Sequence, residues 1–155
     1  MRISDLDDKD RAILTALQKG GRLANVELAA KVSLSESACL RRVKLLEQAG
    51  FIDDYVMLMN QAKAGKPGNV FVNVTLESQQ QQALQTFEEA VKHVPGVMEC
   101  YLMSGDQDYL LRVIVRDASD YEKVHMEQLT CLPGVARVKS SFALRTIVKK
   151  TEISF

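Results

Sequence analysis

Apolar residues in the first sixty positions recur at intervals of three and four, the spacing that lines one face of a helix. Ile13, Leu14 and Leu17 follow a cluster of aspartates and precede Gly20-Gly21, so Leu6 to Gly20 predicts a helix with an acidic first turn and a glycine stop. Leu28, Ala29 and Val32 share one face of a second helix; Cys39, Val43 and Leu46, with Leu40 beside them, share one face of a third. Only Ser33-Leu34-Ser35 separates these two, and the Ser35 hydroxyl can cap the helix that follows. After Gly50, Phe51 to Met59 is apolar and β-prone and predicts a strand flanking the helices.

Opposite the apolar stripe of the third helix lie Ser37, Arg41, Lys44 and Gln48, which make one polar ridge, with Arg42 beside it. A lone helix with such a ridge is adequately explained as a solvated face. Two helices joined by a three-residue turn and braced by a leading helix, however, are the unit that lays its second helix in the major groove of double-stranded DNA. Arg41, Arg42 and Lys44 are then candidates for phosphate or guanine contacts, and Ser35, Glu36 and Ser37 stand nearest the base edges.

Residues 60 to 69 hold two glycines, a proline and no large apolar side chain, and divide a helix-turn-helix domain (1–59) from a second domain (70–155). Beyond them the period changes. Val70, Val72, Val74 and Leu76 alternate with Phe71, Asn73 and Thr75 as in a strand with one face on a core, and Leu84, Phe87, Val91 and Val94 return to helical spacing. Val97 to Ser104 and Tyr109 to Val115 predict a hairpin closed by Gly105 and Asp106. Ser119-Asp-Tyr-Glu122 has the form of a capping box, opening a helix whose inward face is Tyr121, Val124, Leu129 and Leu132; a last strand runs from about Val135 to Val148. Both helices end alike, at Val94-Pro-Gly-Val97 and Leu132-Pro-Gly-Val135. The order βαββαβ with this weak repeat predicts an α+β, ferredoxin-like domain with both helices on one face of an antiparallel sheet. Its other face, partly apolar at Phe71 and along the hairpin, calls for a cover that a second copy supplies, so a homodimer is expected.

Composition adds exclusions. The 155 residues are 46% apolar and 26% charged, ordinary for a globular chain, with no apolar run long enough to span a membrane and no signal-peptide pattern, which places the protein in the cytoplasm. Formal net charge is zero, so DNA affinity has to come from a local patch. Cys39, Cys100 and Cys131 are too scattered for a disulfide framework or a metal site and read as small core residues. His93 and His125 stand in no catalytic pattern, and no phosphate-binding glycine loop occurs, so no enzyme is expected and no cofactor. A rival reading makes the chain an enzyme or stand-alone binding protein with N-terminal helices that only dimerise. The polar Ser37, Arg41 and Lys44, where such helices would bury an apolar face, speak against it. A module that binds another protein is a third reading.

Several segments follow a known pattern in order: Leu6-Asp with Arg11-Ala-Ile-Leu, Arg22 with Asn25-Val-Glu-Leu-Ala29, Ser35 with Cys39-Leu, Arg42-Val-Lys-Leu-Leu-Glu-Gln-Ala-Gly-Phe-Ile52, Ser104-Gly-Asp-Gln-Asp-Tyr-Leu-Leu111 and Leu132-Pro-Gly-Val135. Over nearly its whole length the chain resembles the Lrp/AsnC (feast/famine) transcriptional regulators. The resemblance implies a winged-type helix-turn-helix, a linking strand and a ligand-sensing domain, assembled as dimers that often associate into octamers. Two positions depart from the family. Ala24 stands where a capping Ser is common, and Gln107 where an aromatic is common.

Ser104-Gly-Asp-Gln-Asp-Tyr109 taken alone is explained by hairpin closure, and a metal at Asp106 and Asp108 lacks a third hard ligand nearby. The resemblance implies that this loop lines an effector site between subunits. A carboxylate there can hold an α-ammonium, and the NH groups of Gly105 and Asp106 an α-carboxylate. The role carries onto Gly105, Asp106, Gln107, Asp108 and Tyr109, with Ser140 and Ser141 from a neighbouring subunit. Leu102 and Met103 are candidates to line an apolar side-chain pocket, which suggests a leucine- or methionine-like effector.

Overall fold

A computed structural model describes residues 1–155, which divide into two compact units: Met1–Leu58 with Val148–Phe155, and Met59–Ile147.

The N-terminal unit is three helices after a short 3-10 turn: α1 (Asp8–Gly20), α2 (Asn25–Val32) and α3 (Glu36–Gln48). Asp7 caps α1, accepting from the Lys9 and Asp10 amides at 2.9 Å, while the Asp10 carboxylate accepts from the Asp7 amide at 3.3 Å. This reciprocal pair satisfies donors that a helix start leaves open. Ser33 ends α2 in the left-handed region at φ 55°, and the Leu34 amide bonds the Ala29 carbonyl at 3.0 Å. The expected faces meet in one core of Leu6, Ile13, Leu14, Leu28, Ala29, Val32, Cys39 and Leu46.

The strand expected over Phe51 to Met59 does not form. Phe51 and Ile52 pack on the helical core, but the backbone from Ile52 to Met59 makes no backbone hydrogen bond, and Val56 to Met59 are exposed. The physical reason is that β-propensity expresses fit to a pleated neighbour, and this segment has none to pair with in its own unit.

The C-terminal unit carries β1 (Gly68–Leu76), α4 (Gln81–Val91), β2 (Val97–Leu102), β3 (Tyr109–Val115), α5 (Ala118–Val124, continued by a π-helical turn over His125–Leu129) and β4 (Val135–Phe142). The sheet is antiparallel in the order β2-β3-β1-β4. Val70, Val72, Val74, Leu111 and Val113 point toward the helices, where Phe87, Val91, Tyr121, Val124, Leu129 and Leu132 complete the core. Both Pro-Gly repeats make the same turn, with Gly96 at φ 88° and Gly134 at φ 73° in a region that L side chains avoid.

Three boundaries differ from expectation. β1 begins at Gly68, inside the expected join, opposite Val115; a Cβ there would stand 2.9 Å from a Val115 methyl. β4 stops at Phe142, opposite Val70, with one further bond from the Ala143 amide to the Asn69 carbonyl at 3.0 Å, and Val148–Phe155 joins the N-terminal unit. α5 is capped by Asp117, whose carboxylate accepts from the Asp120 amide at 2.8 Å, while Asp120 accepts from the Arg116 amide at 2.8 Å. Ser119 lies inside the helix, so the Ser119–Glu122 box is not the cap.

Candidate nucleic-acid interface and ligand site

Helix α3 is fixed at its start, and the turn before it at the end of α2. Ser35 Oγ caps it through the Ala38 amide at 3.3 Å and touches Ser37 Oγ at the same distance. Asn25 Nδ2 donates to the Glu36 carbonyl at 2.9 Å, tying the start of α2 to the start of α3. Lys9 Nζ donates to the Val32 carbonyl at 2.6 Å, satisfying the end of α2 from α1. Neither bond was legible in the spacing, because both join residues far apart in sequence.

On this scaffold Ser37, Arg41, Lys44 and Gln48 are all exposed along one line, with Ser35 and Glu36 exposed at its N-terminal end. Arg41 and Lys44 make no ion pair, so both cations are available to an anionic partner. Arg42 is placed differently. Its Nη1 lies 2.7 Å from Asp7 Oδ2 and 2.8 Å from Asp10 Oδ1, with Asp10 buried. The Asp7 carboxyl is held below the ordinary carboxylate range by the Asp10 amide and then by Arg42, and the two carboxylates raise the guanidinium in turn. The sequence-based expectation grouped Arg42 with the contact residues; the structure turns it to α1, because position 42 lies one residue round the helix from the ridge.

The second expected site is the β2–β3 hairpin, closed by the Met103 amide on the Asp108 carbonyl at 2.8 Å. Gly105 at φ 126°, Asp106, Leu102 and Met103 are exposed, and Gln107 is half-buried. The amides of Gly105, Asp106 and Gln107 have no acceptor within the chain. Asp108 is buried: Oδ2 accepts from the Leu76 amide at 2.7 Å and Oδ1 from Gln79 Nε2 at 2.8 Å. Its amide also donates to the Val74 carbonyl at 3.0 Å. Oδ2 therefore pins the end of β1 to the hairpin and Oδ1 the turn that follows it, so both carboxylate oxygens are engaged within the unit.

Tyr109 is buried against Phe87, ring centroids 4.5 Å apart, and its hydroxyl donates to Glu88 at 2.8 Å; burial, then Glu88, pushes the phenol strongly up. It belongs to the core. Ser140 and Ser141 point to opposite faces of β4: Ser140 shares a hydrogen bond with the Tyr121 hydroxyl on the helix side, and Ser141 stands opposite Phe71 on the open side. The structure thus brings together Leu102, Met103, Gly105, Asp106 and Gln107, and separates from them Asp108, Tyr109 and Ser140. Gln79 and Glu88, which hold the first two, were missed for want of any local pattern linking them; Tyr121 was expected on the inward face of its helix, but not its bond to Ser140.

The open sheet face carries Phe71 (39% exposed), Tyr101 (52%) and Leu110 around an ion pair between Arg112 and Glu99 at 2.8 Å.

Residues 6–53 match the winged helix-turn-helix DNA-binding family, and residues 69–153 the Lrp/AsnC ligand binding domain. The chain is 42% identical over 149 residues to the Bkd operon transcriptional regulator of Pseudomonas aeruginosa, covering 96% of this chain and 97% of that one. It is 40% identical to the leucine-responsive regulatory protein of Escherichia coli K12, covering 96% and 91%. Among solved structures, a Neisseria meningitidis transcriptional regulator in complex with L-methionine superposes with a TM-score of 0.91 at 35% identity, covering 96% of each chain. An AsnC family regulator from Agrobacterium tumefaciens gives 0.90 at 38%, covering 96% and 97%.

Proposed function

The chain belongs to the Lrp/AsnC family of DNA-binding transcriptional regulators with a ligand-binding domain, and from that premise we propose that it responds to an amino acid bound at the hairpin Leu102–Gln107. The observation that carries this reading is the run of acceptor-free amides at Gly105, Asp106 and Gln107 beside the exposed side chains of Leu102 and Met103. Consecutive free NH groups make a cradle for a carboxylate. The exposed Asp106 carboxylate, rather than the committed Asp108, is the partner for an α-ammonium. Leu102 and Met103 favour an apolar, leucine- or methionine-like side chain, a choice that fits a relative named for leucine and a similar structure holding methionine.

Ser37, Arg41 and Lys44 are the residues that enter the major groove and touch phosphates or bases, with Ser35 and Glu36 at the entering end and Arg42 bracing the helix from behind. A second copy covers the open sheet face at Phe71 and Tyr101, forming a dimer that assembles further toward an octamer, with the effector between subunits. No helix is long and apolar enough to cross a membrane, and a DNA partner places the work in the cytoplasm.

The test is a melting panel with each of the twenty amino acids, read together with mass in solution. A ligand at a hundredfold its dissociation constant stabilises by about 2.7 kcal/mol, a shift of several degrees. A panel that moves neither melting nor mass refutes the sensing role while leaving DNA binding in place.

A further inference from the structure

We propose that Val148–Phe155 is a latch on the DNA-binding unit, held at α1 by the side-chain amide of Gln18. Although it follows the ligand-binding sheet in sequence, this segment packs as part of the N-terminal unit. Gln18 Nε2 donates to the Ile153 carbonyl at 3.1 Å, and Gln18 Oε1 accepts from the Ile153 amide at 2.6 Å. One residue therefore exchanges both of its backbone hydrogen bonds with a single side chain, as a hydrogen-bonded pair does across an antiparallel ladder. A carboxamide, carrying donor and acceptor together, is the group that can do this.

Two further contacts flank the clamp. Lys19 Nζ pairs with Glu152 at 3.3 Å, and the Arg11 guanidinium stands 5.8 Å over the Phe155 ring. Residues 11, 18 and 19 ascend α1 while their partners 155, 153 and 152 descend, so the segment lies antiparallel to the helix. Beside it opens a cleft of 670 Å³, lined by Leu14, Leu17, Phe51 and Ile52 together with Ile153 and Phe155.

The consequence for DNA binding comes from chain connectivity. With the latch closed the chain passes between the units twice, at Leu58–Met59 and at Ile147–Val148. With it open, only the first passage restrains the helices. A unit held by two tethers has less orientational freedom to lose on docking, so closure raises DNA affinity. The grip also falls on α1, whose Asp7 and Asp10 hold Arg42 of α3.

The test compares the full chain with Gln18→Ala, with a chain stopped after Lys150, and with the two changes combined. Stopping there retains Lys149 and Lys150, so the basic charge beside the helices is kept. Alanine is a strong helix former, and circular dichroism checks that α1 persists. Hydrogen exchange is read at the Ile153 amide in the full-length proteins, and affinity by fluorescence anisotropy on a fragment from upstream of the protein's own coding sequence, at fixed salt and without amino acid. Gln18→Ala speeds exchange at Ile153 about tenfold, and each change weakens DNA binding by about three- to fivefold, the scale of two exposed hydrogen bonds. The combined variant is no weaker than the truncated chain. Unchanged exchange in Gln18→Ala overturns the latch; so do unchanged affinities, or effects of the two changes that multiply.

Discussion

Arg42→Ala separates two readings of the adjacent arginines on α3. In the structure the Arg42 side chain is only 25% exposed and serves two carboxylates of unequal surroundings, Asp7 at 52% and Asp10 at 9% side-chain exposure. The half-exposed Asp7 pair is screened by solvent and adds little. The Asp10 bond is a charged hydrogen bond at a buried acceptor, and losing it costs about 1.5 kcal/mol. The expected destabilisation of the N-terminal unit is therefore about 1.5 kcal/mol. Urea unfolding followed through α1–α3 should show a lower midpoint at an unchanged m-value. Asp10→Ala and the double variant complete a cycle whose coupling is expected at about 1 kcal/mol. Arg41→Ala, measured alongside, changes stability by less than about 0.5 kcal/mol, since Arg41 has no intramolecular partner. If Arg42→Ala is as stable as the parent and yet loses DNA binding as Arg41→Ala does, the bracing role is refuted and Arg42 returns to the interface.

Three other outcomes follow from the same geometry. Arg41→Ala lowers DNA affinity and reduces the slope of log affinity against log salt by about 1 if the contact is to phosphate, measured by anisotropy over a salt series. Asp108→Ala leaves the buried Leu76 amide without an acceptor and destabilises the C-terminal unit by about 2 kcal/mol, read by denaturant unfolding; a variant of parental stability that has lost its amino-acid response would instead make Asp108 a direct ligand contact. Asp7 is depressed in the folded state, so its contribution is present above the unfolded carboxylate value of about 3.9 and is lost as pH falls through the lower folded value. The gap in melting temperature between the parent and Asp7→Asn should accordingly close as pH drops below about 4, and a gap independent of pH would contradict the assignment.

What the sequence made legible is whatever repeats locally. The faces Ile13–Leu14–Leu17, Leu28–Ala29–Val32 and Cys39–Val43–Leu46 became one core because helical spacing alone decides which side chains share a side. The alternation Val70–Val72–Val74–Leu76 specified the buried face of β1 for the same reason, and the two Pro-Gly repeats announced matching turns. The failure at Phe51–Met59 has the opposite cause, since whether a β-prone segment becomes a strand depends on a neighbour that its own residues do not specify. The capping error at α5 is subtler. Asp117 and Ser119 are both good caps, and the choice fell to Asp117 because its reciprocal partner Asp120 could also take the Arg116 amide.

At the candidate sites the same division explains which residues moved. Ridge positions need only be exposed on one helix, a property of spacing, and Ser37, Arg41 and Lys44 satisfy it. Arg42 and Asp108 were assigned by charge and neighbourhood in sequence, but a charged side chain turned toward a protein interior must find a partner there. Their partners lie 32 and 35 residues away for Arg42, and 29 and 32 away for Asp108. No local pattern can announce such a pairing. Among the expected site residues, these two are tied within the chain: Arg42 bonds the start of α1 from the helix that carries Arg41 and Lys44, and Asp108 bonds Leu76 and Gln79 from the hairpin that carries Gly105 and Asp106. Substituting a residue of this kind should move stability first and binding second, whereas substituting a presented residue should move binding alone, and that contrast distinguishes the two groups without knowledge of the ligand or the DNA site.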